Sequence, residues 1–167
     1  PAKLLSDFVA QLPKDEVVEL SFEGSKLSVK SGVYSSHIQG MGAEDFPVLP
    51  KIKEGKRITL KKSILKDALQ KTILAASHDE TRPVLSGIYL HCMDSKMYIA
   101  ATDGYRLAEY AIDGVEDNFS AIIPLPSLQD TLKIMQEDES EDIEILFDEG
   151  QFGVAAGETE LVSRLIE

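Results

Sequence analysis

One nine-residue pattern occurs three times in this chain: PAKLLSDFV at 1–9, KKSILKDAL at 61–69 and PLPSLQDTL at 124–132. Each copy places an apolar residue fifth and ninth and an aspartate seventh. The sets are Leu5, Asp7 and Val9, then Leu65, Asp67 and Leu69, then Leu128, Asp130 and Leu132. Apolar positions four apart share one face of a helix, so each copy predicts the opening of a short amphipathic helix. Two copies begin with proline, whose fixed φ suits the first helical turn. In the middle helix the predicted apolar stripe is Ile64, Leu65, Ala68, Leu69, Thr72 and Ile73. Lys66, Gln70 and Lys71 fall on the opposite, exposed side.

Strand signals follow every helix. Val18, Leu20 and Phe22 alternate with polar residues, and Gly24-Ser25 turns the chain into Leu27 and Val29. Ile88, Leu90 and Cys92 alternate likewise, with Asp94-Ser95 as the turn before Met97, Ile99 and Ala101. Ile143, Ile145 and Phe147 repeat the pattern, with Glu149-Gly150 leading into Phe152 and Val154. Period-two alternation around short turns predicts half-buried antiparallel hairpins. A third strand follows each time (33–39, 106–111, 160–166), and leading strands are visible at 57–60 and 119–123. The predicted class is α+β, built from repeated units of one helix plus antiparallel strands, with the helices on one face of the sheets. Such repetition suggests assembly by stacking copies rather than a bespoke catalytic cleft.

The rhythm breaks at 43–55. Pro47 and Pro50, bracketed by Gly42 and Gly55, resist both helix and strand interior. This stretch reads as an interdomain linker, with Phe46 and Val48 packed to hold its path. Residues 1–42 then read as the tail half of one domain and 56–167 as a nearly complete second one. The chain opens on Pro1 rather than Met and stops at Glu167 directly after a strand-like run, so it reads as a segment of a longer gene product.

Composition narrows the function. No stretch approaches the roughly 20 apolar residues of a membrane helix, and no charged leader precedes an apolar run, so the expectation is a soluble, cytoplasmic protein. A single cysteine, Cys92, allows no internal disulfide and fits a reducing compartment. The net charge of −12 argues, taken alone, against nucleic-acid binding. Its distribution reverses that argument. Residues 51–82 carry nine Lys or Arg against four acids, whereas 83–167 carry eighteen acids against four bases. A segment of that kind can attract phosphates on one surface of an otherwise repelling protein; from charge alone it reads first as a solvated lysine-rich face.

Catalytic signatures are poor. Ser77-His78-Asp79 has the residue types of a triad, but consecutive residues do not converge as one. His37, His78 and His91 lack metal-ligand spacing, Cys92 sits on an apolar strand alternation, and the run 137–142 (EDESED) lacks the glycine and spacing of a calcium loop. There is no glycine-rich phosphate loop. The residues call for no cofactor and no metal.

TRPVLSGIYL (81–90), followed by ATDGYRLAEY (101–110), resembles the middle domain of the bacterial DNA polymerase sliding clamp, the beta subunit of the replicative polymerase. EDFPVLP (44–50) resembles that family's linker between first and second domains, and PAKLLSDFVAQLP (1–13) and TELVSRLIE (159–167) fit the same family in order. The resemblance covers the whole chain. It implies the C-terminal half of clamp domain 1 at 1–42, the linker at 43–55 and most of the central domain at 56–167, with domain 3 absent. It also implies a non-catalytic processivity subunit of a DNA-directed DNA polymerase holoenzyme. Such clamps close as head-to-tail homodimers into a six-domain ring around double-stranded DNA, without reading sequence, with helices lining the hole.

On those grounds the DNA-facing residues are Lys3, Lys62, Lys66, Gln70 and Lys71. The third helix opens Leu125-Pro126 where relatives often carry basic residues, so it should contribute little. The resemblance implies a second site, a hydrophobic cleft that receives short linear peptides of the polymerase catalytic subunit, the clamp loader and repair proteins. Its matching residues are Arg82, Leu85, Thr102, Gly104, Tyr105, Arg106 and Leu107, and the other half would come from domain 3. Leu85 and Leu107 would be apolar walls, Gly104 would permit close backbone approach, and Tyr105 would form a rim where relatives often carry His. From the residues alone, Leu85 and Leu107 read equally as core, Asp103-Gly104 as a hairpin turn, and Arg106 as the partner of any of many acids. The alternative for the whole chain is an acidic α+β protein-interaction module unrelated to replication, or a divergent nucleotide-handling enzyme.

Overall fold

The repeated spacing produces helices where it occurs. In the computed structural model, which describes residues 1–46, 48, 51–52, 55–79 and 81–167, the helices are α1 (Ala2–Val9), α2 (Lys62–Thr72) and α3 (Leu125–Glu137). The prolines sit one step earlier than expected. Pro1 and Pro124 are N-cap residues, and Pro126 lies within the first turn of α3, where an N–H would have no intrahelical acceptor to lose.

The chain divides into two compact units, Pro1–Leu49 and Pro50–Glu167. In the first, β1 (Glu19–Glu23), β2 (Lys26–Ser31) and β3 (Tyr34–Gln39) form an antiparallel sheet in the order β1-β2-β3. Gly24, at φ +61°, makes the turn expected between β1 and β2. Val29 and Ile38 are buried, but every residue of β1 is exposed, Leu20 at 59% and Phe22 at 64%. The half-buried hairpin expected there is thus covered on one strand and bare on another, because α1 lies against β3.

The second unit holds β4 (Lys56–Lys61), β5 (Gly87–Met93), β6 (Lys96–Thr102), β7 (Leu107–Asp113), β8 (Ser120–Pro124), β9 (Asp142–Phe147), β10 (Gln151–Ala156) and β11 (Thr159–Arg164). They form two antiparallel sheets, ordered β7-β6-β5-β8 and β11-β10-β9-β4. The leading strands are exchanged. β4 precedes α2 but pairs with β9, setting Leu60 opposite Ile143, while β8 precedes α3 but pairs with β5, setting Ile88 opposite Ile123. An isolated bridge from Ile122 to Ile166 links the two sheets.

Both helices of this unit pack on the inner faces of the sheets. Leu65, Ala68 and Leu69 of α2 and Leu128, Leu132 and Met135 of α3 join Ile88, Leu90, Met97, Ile99, Ile143, Ile145, Phe152 and Val154 in one core. Burying each such aliphatic or aromatic side chain contributes about 1.5–3 kcal/mol. Ile64, expected in the stripe, is 41% exposed at its margin. Cys92 is buried in this core, and burial, with Asp117 adding, pushes its thiol up to about 11. The Asp94-Ser95 turn is built as its residues suggested, with both at positive φ (54° and 57°), matching the twist of a two-residue hairpin.

Pro47 and Pro50, on which the linker assignment leaned, lie outside the described residues. Phe46 and Val48 do not pack: they are 67% and 93% exposed. Among the described residues, no helix is long and apolar enough to cross a membrane.

Leu69 is fully buried, whereas Leu20 is not. Leu69→Ala is expected to destabilise the second unit by about 2–5 kcal/mol, read as a lower urea midpoint with unchanged slope. Leu20→Ala should stay within about 0.5 kcal/mol of wild type.

Candidate functional site

The hairpin tip between β6 and β7 is organised by one carboxylate. Asp103 Oδ1 accepts the backbone N–H groups of Tyr105 (2.9 Å) and Arg106 (3.0 Å), and its Oδ2 accepts Arg106 Nε (3.0 Å). These bonds, led by the Tyr105 and Arg106 amides, hold the Asp103 carboxyl below its ordinary value of 3.8. Thr102 adds a second clasp: its hydroxyl donates to the Arg106 carbonyl (2.7 Å) and accepts the Gly104 N–H (3.1 Å). Gly104 is needed for its φ of +91°, and a Cβ there would meet no atom of this chain within 4 Å, so the space above it is open. Arg106 finds its acid three residues away rather than across the molecule.

This tip faces the segment that follows α2. Ser77 N–H donates to the Leu85 carbonyl (2.9 Å), Arg82 N–H to the Asp79 carbonyl (3.2 Å), and a single 3-10 turn spans Pro83–Ser86. Ser77 Oγ accepts the Asp79 N–H (3.0 Å), so the Ser-His-Asp run forms a local turn. Between segment and tip lies a surface pocket of about 390 Å³, with Arg82 on one wall, Tyr105 and Arg106 on the other, and Asp79 and Asp103 beside them. Arg82, Tyr105 and Arg106 are therefore brought onto one pocket. Thr102 and Gly104 shape its turn, and Leu107 begins β7 just beyond it. Leu107 is 69% exposed and Tyr105 is 99% exposed, so neither belongs to the core; Leu85 is half-buried. A larger pocket of about 830 Å³, lined by Lys56, Phe119, Phe147 and Leu165 among others, shares no residue with this surface.

The second candidate surface is the polar side of α2. Its apolar stripe is buried, leaving Gln70 and Lys71 exposed and Lys66 partly so. Among the described residues Lys66 makes no ion pair. Lys71 does: its Nζ lies 2.6 Å from Asp67 Oδ2, four residues earlier. Tyr110 of β7, which the residue pattern did not single out, donates its hydroxyl to the same Asp67 oxygen (3.0 Å). The i,i+4 spacing of Asp67 and Lys71 was a legible signal; the tyrosine was not.

Lys62 departs from the expected exposed face. Its ammonium donates to the Asp138 carbonyl and lies 3.3 Å from the Asp138 carboxylate, with the side chain 16% exposed. It ties the start of α2 to the end of α3. Lys3 is exposed on α1 in the first unit.

A family model described as the DNA polymerase III beta subunit, central domain, matches residues 59–167. The chain belongs to the DNA polymerase III beta subunit family, the bacterial sliding clamps. A beta sliding clamp of Staphylococcus aureus (strain Mu50 / ATCC 700699) is 31% identical over 169 aligned residues, covering 100% of this chain and 45% of that protein. Among solved sliding clamps, one from Bartonella birtlesii bound to griselimycin is 33% identical, with a TM-score of 0.92 over 100% of this chain and 46% of its own. One from Bacillus subtilis is 29% identical, with a TM-score of 0.87 over 99% of this chain and 44% of its own. The chain spans about half the length of the curated clamps that it matches.

In this sliding-clamp chain the Asp103 turn gives a measurable signature. The bonds favour the ionised carboxylate, so they persist above the ordinary 3.8 and are lost as pH falls through the lower folded value. The Tyr105 and Arg106 amide shifts, followed by NMR, should hold steady down to that pH and move only below it. In Asp103→Ala the same amides should exchange with solvent roughly tenfold faster. Titration of these amides above pH 3.8 would contradict the bonding described.

Proposed function

We propose that this chain forms part of a non-catalytic processivity factor that encircles duplex DNA and docks replication proteins through short peptides. In this reading residues 1–42 are the C-terminal half of clamp domain 1, 43–55 the interdomain linker, and 56–167 most of the central domain. The full-length protein closes as a homodimeric ring in the cytoplasm. The observation that carries the reading is the family match across 59–167.

Lys3, Lys66, Gln70 and Lys71 face the DNA, and Lys62 is left out because Asp138 holds it. The one-sided burial of α2 supports this assignment, since it leaves a polar helix face with cations suited to phosphates and nothing shaped to read bases. The peptide cleft is formed by Arg82, Leu85, Thr102, Gly104, Tyr105, Arg106 and Leu107. Its support is an exposed leucine and an exposed tyrosine beside a pocket with two arginines, on a turn fixed by backbone hydrogen bonds. Tyrosine and arginine are among the residue types that most often dominate docking affinity, and the leucines add apolar wall. The partners are the polymerase catalytic subunit, the clamp loader and repair proteins.

The test uses the full-length clamp. A fluorescent peptide derived from the cognate polymerase subunit should bind wild type, and Leu85→Ala with Leu107→Ala should weaken it roughly tenfold or more. Separately, Lys66→Glu with Lys71→Glu should shorten the product length per binding event on a long primed template. Unaltered peptide affinity would remove the cleft assignment, and unaltered product length would remove α2 from the DNA-facing surface.

A further inference from the structure

The seventh position of the repeated helix motif is aspartate every time: Asp7, Asp67 and Asp130. In both helices of the second unit that aspartate holds a lysine one turn later. Asp67 Oδ2 lies 2.6 Å from Lys71 Nζ, and Asp130 Oδ1 lies 2.8 Å from Lys133 Nζ. Three and four positions after Asp7 stand Ala10 and Gln11, just past the end of α1, so no equivalent cation stands there. The Asp67 pair is further fixed. Tyr110 reaches from β7 to donate its hydroxyl to the same carboxylate oxygen at 3.0 Å, and the Lys71 ammonium sits 5.3 Å from the centre of the Tyr110 ring.

These bonds are not what holds α2 in place. Leu65, Ala68 and Leu69 already bury its opposite face, and exposed ion pairs add little to stability. Their effect is on the charge that the helices present. A lysine whose ammonium is bound to a carboxylate contributes a dipole to the surface field rather than a full positive charge. Lys71, among the exposed cations of α2, is held this way while Lys66 is not. The Lys71 bond lowers the Asp67 carboxyl, with Tyr110 adding, and the Asp67 bond raises the Lys71 ammonium, so both stay ionised and paired through neutral pH.

We propose that Asp67, positioned by Tyr110, is an attenuating residue: it withholds the charge of Lys71 from the phosphate backbone, so that duplex DNA is held weakly enough to slide. The proposal rests on the reading of α2 as a DNA-facing helix. Each lysine that gains a phosphate contact steepens the salt dependence of binding by about 0.9 in log–log slope, which gives the idea a readout that a purely structural role would not move.

The experiment measures anisotropy of a labelled linear duplex against the full-length clamp over a series of salt concentrations. Asp67→Asn should tighten binding roughly threefold to tenfold at low salt and steepen the slope by up to about 0.9. Asp67→Glu should return both quantities towards wild type. Tyr110→Phe, which leaves the charges in place but frees the carboxylate, should shift them in the same direction by less, and it serves if the asparagine variant folds poorly. Lys66→Glu with Lys71→Glu is the control for the underlying reading. If that control weakens binding while the Asp67 variants leave affinity and slope unchanged, attenuation is wrong and the DNA-facing reading survives. If the control has no effect either, the DNA-facing reading fails and takes the proposal with it.

Discussion

The second unit depends on the exchange of its two leading strands. β4 and β8 each enter the fold just before a helix, yet each completes the sheet of the other repeat, β4 beside β9 and β8 beside β5. Neither repeat can therefore build its four-stranded sheet from its own residues. The apolar side chains on these strands, Ile58 and Leu60 on β4 and Ala121 and Ile123 on β8, are all in the shared core. Two amphipathic helices can bury their stripes only because the paired sheets supply a surface wide enough for both. Separating the repeats would expose that core and four strand edges at once, which is why the unit behaves as one domain rather than as two stacked copies.

The same exchange decides what the uneven charge along the chain does. Residues 51–82 are basic and the later segment is acidic, which in the linear sequence suggests a phosphate-attracting surface. Folding brings the segments together. Lys56 meets Asp117, Arg57 meets Glu144, Lys61 meets Asp142 and Lys62 meets Asp138, all pairs that bridge the two repeats. Their summed effect on stability is small where they are exposed, but their effect on the field is large, because most of the apparent excess of positive charge is cancelled locally. The linear excess of positive charge therefore overstates the positive surface that these four cations present.

What could be read from the sequence was whatever depends on neighbours within a few residues. Helix positions followed from the spacing of Leu5 and Val9, Leu65 and Leu69, Leu128 and Leu132; hairpins followed from alternation; and Asp94-Ser95 marked its own turn. What could not be read depended on residues brought in from afar. Lys62 lies on a helix that predicts exposure, and only the arrival of Asp138, 76 positions later, buries it. Leu20 and Phe22 alternate as a covered strand should, but the short α1 lies against β3 instead. Gly104 was legible as a turn residue from the Asp103-Gly104 pair, and its φ of +91° is the conformation such a turn requires. For the cleft, the residues alone left Leu85 and Leu107 undecided between core and wall; family resemblance chose the wall, and exposure excludes Leu107 from the core.

One strand joins the two candidate surfaces, and its register governs both. Along β7 exposure alternates, with Leu107 and Glu109 outward and Ala108 and Tyr110 towards α2. Leu107 and Tyr110 are three residues apart and so must lie on opposite faces of the sheet. The β6–β7 pairing fixes this by setting Leu107 opposite Thr102 and Tyr110 opposite Ile99. A slip of one residue would turn Leu107 inward and Tyr110 outward together, removing an anchor from the outer surface and the hydroxyl from Asp67. The hydrogen bonds that Asp103 and Thr102 make around the tip close the hairpin at a fixed loop length, and loop length is what sets hairpin register. The carboxylate that shapes the pocket therefore also places the tyrosine that restrains Lys71, on the far face of the same sheet.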